Sequence, residues 1–273
     1  MDATAQDRLA GYVEVWWQAV ESFTRLLEQV PDEQWSAPTD LPGWDVRAVA
    51  AHTAHLESVL ATGAEETAEI GEPAHVTGPL GRYTEIGVVN RRTASPAAIR
   101  EEIRRSTAAR HAALLADPPA DADARPERIF GGVPWSWETL LRNRPLDVWM
   151  HEQDVRRAVG RPGGLDTAAA RHTAEYLAEG LGYVLARKTG APPGASVVLD
   201  LAGSAPYAFT VTDAGRGERL PAPPPDPTVR LGADRETYVL LAGGRRPGAA
   251  ADLTVEGDAE LGRLLVANLA TTP

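Results

Sequence analysis

Amphipathic helical periodicity over roughly the first 160 residues is the feature that most limits how this chain can fold. From about Gln6 to Gln29, apolar residues recur at spacings of three and four, which is typical of a helix with one buried face. Further helical patterns follow Asp45 and Ser95, each of which is a good N-cap residue. A fourth pattern is expected to be interrupted or kinked at Pro145. Four helices with one long connection predict a four-helix bundle.

The same helical period predicts which faces of the second and third helices are buried and which are solvated. On the second helix, His52 is expected at the edge of the core, whereas His55 should be solvated with Glu57 near the polar face. Two apolar stripes are expected to be buried: Val46, Val49, Thr53, Leu56 and Leu60 on the second helix, and Ile99, Ile103, Leu114 and Leu115 on the third. Residues 66–94 contain turn formers and receive no assignment.

The composition changes after Gly160, and alternation at a period of two appears. A further helix is followed by two strands of a hairpin, by a strand before a helix that opens at Asp234, and by a last strand and helix with Asp258 as N-cap. The fold class is therefore expected to be α+β. We predict a bundle over residues 1–163 and a small α+β domain over residues 164–273.

Composition narrows the classes of function. The chain contains no cysteine, so it cannot supply a thiolate, and any zinc site must use His, Asp or Glu. The formal net charge of −11 argues against nucleic acid and against an anionic membrane surface as partners. No apolar run of about 18 residues is present, and the first residues lack the basic and apolar parts of a signal peptide. We expect a cytoplasmic protein that acts on a small molecule.

One helical face of the segment RPLDVWMHEQDVRRAVG can hold a metal. At about 100° per residue, Asp147, His151 and Asp154 fall within about 60° of arc. Such spacing is also common in ordinary surface pairs, so spacing alone leaves both interpretations open. His52 on the second helix would complete a set of three ligands, which is typical of a catalytic metal with an open position. Asp154 could then orient a ligand imidazole.

The segment GWDVRAVAAHTAHLE resembles the GWTVRDLVAHL-type signature of the mycothiol-dependent maleylpyruvate isomerase family. The resemblance implies a DinB-like bundle followed by a sterol-carrier-like domain, with mycothiol as the thiol cofactor. It also implies zinc, or another divalent metal, bound by His52, Asp147 and His151. Asp147 stands where the family has glutamate, and its side chain is one methylene shorter.

By this resemblance, an arginine of the C-terminal domain faces the same site, and YVLLAGGRR offers Arg245, with Arg246 as the alternative. A cation is needed to hold a substrate carboxylate, and the apolar stripe of the bundle offers no obvious inward arginine. The implied chemistry is addition of a metal-bound thiolate to the conjugated double bond of maleylpyruvate. Rotation and elimination then give fumarylpyruvate.

Other classes of function use the same residues. A mycothiol S-transferase would need the same three ligands but would consume the thiol. A metal-dependent hydrolase would activate water instead of a thiol. A non-catalytic binding protein would show no metal-dependent turnover.

Overall fold

The computed structural model describes residues 4–272, apart from the side chains of 248 and 249, and confirms the α+β fold class. The chain divides into two compact units, of which the first extends to Ala169 and the second begins at Ala170. The domain boundary that the sequence predicts, after residue 163, concerns domains that fold independently of each other. The division into compact units does not test independent folding, so this boundary stays a prediction.

Helices make up the first unit. They are α1 Ala5–Gln29, α2 Val46–Thr62, α3 Gly78–Arg91, α4 Pro96–Ala116 and α5 Trp137–Ala158. Short 3-10 turns lie at Asp32–Ser36 and Phe130–Gly132. The two predicted N-caps are confirmed, because Asp45 accepts from the N–H of Ala48 at 2.8 Å and Ser95 accepts from that of Ala98 at 3.2 Å.

Four of these helices form the predicted bundle. Helix α1 packs against α4 and α5, and α2 packs against the same two helices. Large apolar side chains fill the space between them, and burying each contributes roughly 1.5–3 kcal/mol. The largest of these with less than 2% exposure are Leu9, Trp16, Phe23, Leu27, Ile99, Ile103, Leu140, Leu141 and Trp149.

The helices differ from the sequence-based prediction at three points. Pro145 does not interrupt α5, which runs from Trp137 to Ala158 with this proline inside it. Leu115 is 65% exposed, because it lies about 100° around the helix from the buried Leu114. The unassigned stretch 66–94 contains the additional helix α3, which packs on α2.

The second unit is a mixed sheet with helices. Helix α6, Ala168–Glu179, begins two residues before the division and is followed by the short α7, Leu181–Tyr183, and a π-helical turn, Val184–Lys188. The strands are β1 Ser196–Leu201, β2 Tyr207–Val211, β3 Gly217–Arg219, β4 Val229–Ala233 and β5 Thr254–Gly257. The remaining elements are α8 Arg235–Ala242, a 3-10 turn Pro247–Asp252 and α9 Ala259–Ala267.

The strands lie in the order β3-β2-β1-β4-β5, and only β1 and β4 pair in parallel among those described. The predicted hairpin is confirmed, with Val198 of β1 opposite Ala208 of β2. Asp234 and Asp258 cap α8 and α9 as expected. Among residues 4–272, no helix is both long enough and apolar enough to cross a membrane.

Candidate metal site

Three side chains from two bundle helices meet at one point. His52 comes from α2, while Asp147 and His151 lie one turn apart on α5. One ligand atom from each lies within 4.8 Å of the others. His52 Nε2 is 3.6 Å from Asp147 Oδ2, and His151 Nε2 is 3.6 Å from Asp147 Oδ1. The structure thus brings together all three residues that the sequence singled out as metal ligands.

The cluster has buried polar atoms that lack hydrogen bonds. Among the described residues, neither ring nitrogen of His52 nor Oδ2 of Asp147 has a hydrogen-bond partner. The 3.6 Å separations are too long for such bonds. Oδ2 of Asp147 does have an ion-pair contact with Nη1 of Arg144 at 3.0 Å. A buried imidazole without hydrogen bonds is rare, however, so the convergence of His52, Asp147 and His151 on one point fits a cation. Two imidazoles and a carboxylate are a donor set that zinc accepts.

The electrostatics favour the metal-binding protonation states of His52 and Asp147 but not of His151. Burial opposes the charge on His151, yet Asp147 and then Asp154 outweigh it and raise the pKa of this imidazole, so a metal would displace a proton from it. Burial lowers the pKa of His52 to about 4, so its imidazole is neutral near pH 7. Burial opposes the charge on Asp147, but Arg144 and then His151 outweigh it, and the pKa of this carboxyl lies well below its usual value. A neutral imidazole and an ionised carboxylate are the forms that coordinate metals.

Asp154 lies one turn beyond His151 on α5. It is fully buried, and its Oδ2 is 3.2 Å from Nδ1 of His151. Arg157 donates from Nη2 to Asp154 Oδ1 at 2.7 Å and from Nε to Oδ2 of Asp40 at 2.5 Å. A carboxylate beside Nδ1 favours a proton on that nitrogen, so Nε2, which faces Asp147, is the nitrogen that could bind a metal.

Trp44, which was not among the predicted site residues, lies beside both histidines. Its ring centroid lies 5.0 Å from that of His52 and 6.0 Å from that of His151. Its indole Nε1 donates to Glu85 Oε2 at 2.9 Å, and the loop residue His75 lies 3.3 Å from the same oxygen. Trp44 directly precedes the N-cap Asp45, and His52 lies two turns into α2. This sequence position could have indicated that Trp44 lies near His52.

Two expectations for α2 were wrong. His55 and Glu57 are both 0% exposed, although a solvated face was predicted for them. Helix α3 covers His55, and the lack of a side chain at Gly87 allows this approach, since a Cβ there would overlap His55. Glu57 faces the core, where Arg144 and Arg110 donate to it.

Those two arginines also correct the expectation that the bundle offers no inward arginine. Arg144 is 0% and Arg110 4% exposed. Arg144 stands three residues before Asp147, so i,i+3 spacing could have identified it as a neighbour of the cluster.

Arg245, the predicted substrate-binding residue, belongs to the second unit. It lies after α8, where its backbone N–H donates to the carbonyl of Leu240 at 2.9 Å and its Nη1 donates to that of Gly243 at 2.7 Å. Arg246, the alternative, is exposed. The approach of either arginine to the cluster stays a prediction.

Two family profiles match this chain, one in its N-terminal part and one in its C-terminal part. Residues 16–156 match the family profile described as mycothiol maleylpyruvate isomerase N-terminal domain, and residues 171–263 match the one described as MDMPI C-terminal domain. Two uncharacterized proteins from Mycobacterium tuberculosis strains are each 24% identical over 237 residues, covering 85% of this chain and 84% of theirs.

Two crystal structures share the fold. One is of the mycothiol-dependent maleylpyruvate isomerase, with a TM-score of 0.55 and 19% identity. The other is of a mutant of the mycothiol-dependent maleylpyruvate isomerase, with a TM-score of 0.57 and 18% identity. Each comparison covers 92% of this chain and 94% of the other.

Proposed function

This chain belongs to the mycothiol maleylpyruvate isomerase family, and from that premise we propose that it is a metal- and mycothiol-dependent cis–trans isomerase of the maleylpyruvate type. Its substrate would be a small molecule with a conjugated cis double bond, and its cofactors a divalent metal, zinc in the first instance, and a low-molecular-weight thiol. The observation that carries the proposal is the meeting of the buried His52 and His151 and the partly buried Asp147 at one point.

The three side chains would hold the cation, with His151 releasing the proton that its raised pKa favours. Once bound there, a divalent cation would lower the pKa of a coordinated thiol and stabilise the thiolate. His52 needs no proton removed to act as ligand near pH 7, because burial keeps it neutral. The ring of Trp44 lies beside both imidazoles, where it would form part of the wall of the site. We propose Arg245 as the residue that binds a substrate carboxylate in a bidentate manner.

Replacing Asp154 by asparagine should weaken metal binding. The variant removes the negative charge beside Nδ1 of His151, so the imidazole loses its fixed tautomer and orientation. Losses of this kind typically cost about 10–100-fold in metal affinity. Competition with a chromogenic chelator measures the effect.

Glu152→Gln is the matched control. Glu152 is also buried on α5, but its carboxylate bonds Ser22 and Arg156 instead of a ligand histidine. Its replacement should leave metal affinity close to that of the wild type. Equal losses in both variants would show that general damage to α5 is responsible.

Product analysis tests the proposed reaction. Zinc-loaded protein is incubated with maleylpyruvate and mycothiol, and both the products and the free thiol are quantified over many turnovers. Because reversible thiol addition leaves the thiol unconsumed, fumarylpyruvate should accumulate while the free thiol stays constant. A thiol conjugate formed with equal loss of mycothiol would identify an S-transferase instead. Unchanged substrate would indicate a binding protein.

A further inference from the structure

A buried group of four charged side chains extends from the bundle core to the candidate metal site. At its centre is Glu57, which is fully buried. Its Oε1 accepts from Nε and Nη2 of Arg144 at 3.0 and 2.8 Å and from Nε1 of Trp16 at 3.1 Å. Its Oε2 accepts from Nη1 of Arg110 at 2.9 Å. The guanidinium of Arg110 also lies over the ring of Trp16, 4.6 Å from its centroid.

One carboxylate cannot neutralise two guanidinium groups, and Asp147 supplies the second negative charge. Nη1 of Arg144 lies 3.0 Å from Oδ2 of Asp147, three residues further along α5. This contact is an ion pair without the alignment of a hydrogen bond. Two arginines and two carboxylates thus form a set with no net charge, which a protein interior tolerates far better than an unpaired ion.

Arg144 is itself held in place. Two nitrogens of its planar guanidinium are fixed on Glu57, which leaves Nη1 facing Asp147. Asp147 is the most exposed of the three candidate ligands, with 21% of its side chain accessible, so it has freedom to turn outward. A fixed cation beside Oδ2 restrains that freedom.

We propose that Arg144 is a positioning residue for the metal site: held by Glu57, it keeps the carboxylate of Asp147 between His52 and His151. The inference deepens the proposed function and rests on it, because it requires the three residues to bind a metal. A lysine could not replace Arg144, since an ammonium lacks the fork that contacts Glu57 and Asp147 together.

The test compares variants of the full-length protein for zinc affinity, by chelator competition, and for the visible spectrum of the Co²⁺-loaded form. Arg144→Met removes the contact with Asp147, and about 10–100-fold weaker zinc binding with an altered Co²⁺ spectrum is expected. Arg144→Lys should not restore either property. Arg110→Met is the matched control, because it also removes a partner of Glu57 but does not touch Asp147. It should retain the affinity and the spectrum of the wild type.

A second variant covers the case in which Arg144→Met does not fold. In the triple variant Glu57→Gln/Arg110→Met/Arg144→Met, Glu57 and both of its guanidinium partners are replaced together, so none of them stays buried without its counter-charge. Replacing such a group as a whole is often tolerated when breaking it is not. The triple variant should show the same loss of zinc affinity.

Three results would overturn the inference. Zinc affinity equal to wild type in either Arg144→Met protein would show that Asp147 needs no such partner. An equal loss of zinc affinity in Arg110→Met would show that the effect comes from the changed charge of the bundle core and not from the contact between Arg144 and Asp147. Wild-type protein that binds neither Zn²⁺ nor Co²⁺ would instead refute the metal site, and with it this role for Arg144, so the two failures are distinguishable.

Discussion

His52→Ala is expected to abolish metal retention and all metal-dependent turnover. His52 is the one ligand candidate that α2 contributes, so its loss leaves two ligands on a single turn of α5. Two side chains with two or more coordinated waters bind a divalent cation far more weakly than a site with three protein ligands. Elemental analysis of purified, dialysed protein gives the metal content directly.

His55→Ala is the control for this experiment, because it removes the same type of side chain three residues further along α2. His55 is fully buried against Tyr83 and Gly87, and it is not part of the cluster. The variant should keep its metal and lose stability, since its replacement leaves a cavity under α3. A stoichiometric metal content in His52→Ala, or equal metal loss in both variants, would show that the cluster is not the metal site.

The helices were predictable wherever a single face carries the apolar residues. The stripe of α1 and the caps at Asp45 and Ser95 are local signals, and the structure confirms them. Helix α3 was missed because Gly78, Pro79 and Gly81 are turn formers and its apolar residues follow no clear stripe. Its packing on α2 also explains the error on His55, since the exposure of one helix face depends on which other helices cover it.

The candidate ligands were predictable because they lie on two helices with readable faces. Asp147 and His151 follow the i,i+4 rule, and His52 was expected at the edge of its stripe. The partners of Glu57 were not predictable, because Arg110 and Arg144 come from two other helices and meet only in the folded bundle. Pro145 was judged from its helix-breaking tendency, which tertiary packing overrides in α5.

The dependence on an external thiol is the other prediction with a large effect. The chain has no cysteine, so a sulfur nucleophile for the proposed isomerisation must come from outside. Turnover should therefore fall to the uncatalysed rate without mycothiol, and capping the thiol by alkylation should have the same effect. A hydrolase that activates water on the same metal would behave in the opposite way, because thiols would occupy its open position and inhibit it.

The rate of maleylpyruvate isomerisation by the metal-loaded protein, measured with and without mycothiol, tests the central claim most directly. Metal content is determined on the same samples, so that a loss of rate cannot come from a loss of metal. We expect turnover only in the reaction that contains both the metal and the free thiol. Equal isomerisation rates with and without mycothiol would contradict the thiol mechanism, because the reaction would then need no external sulfur nucleophile.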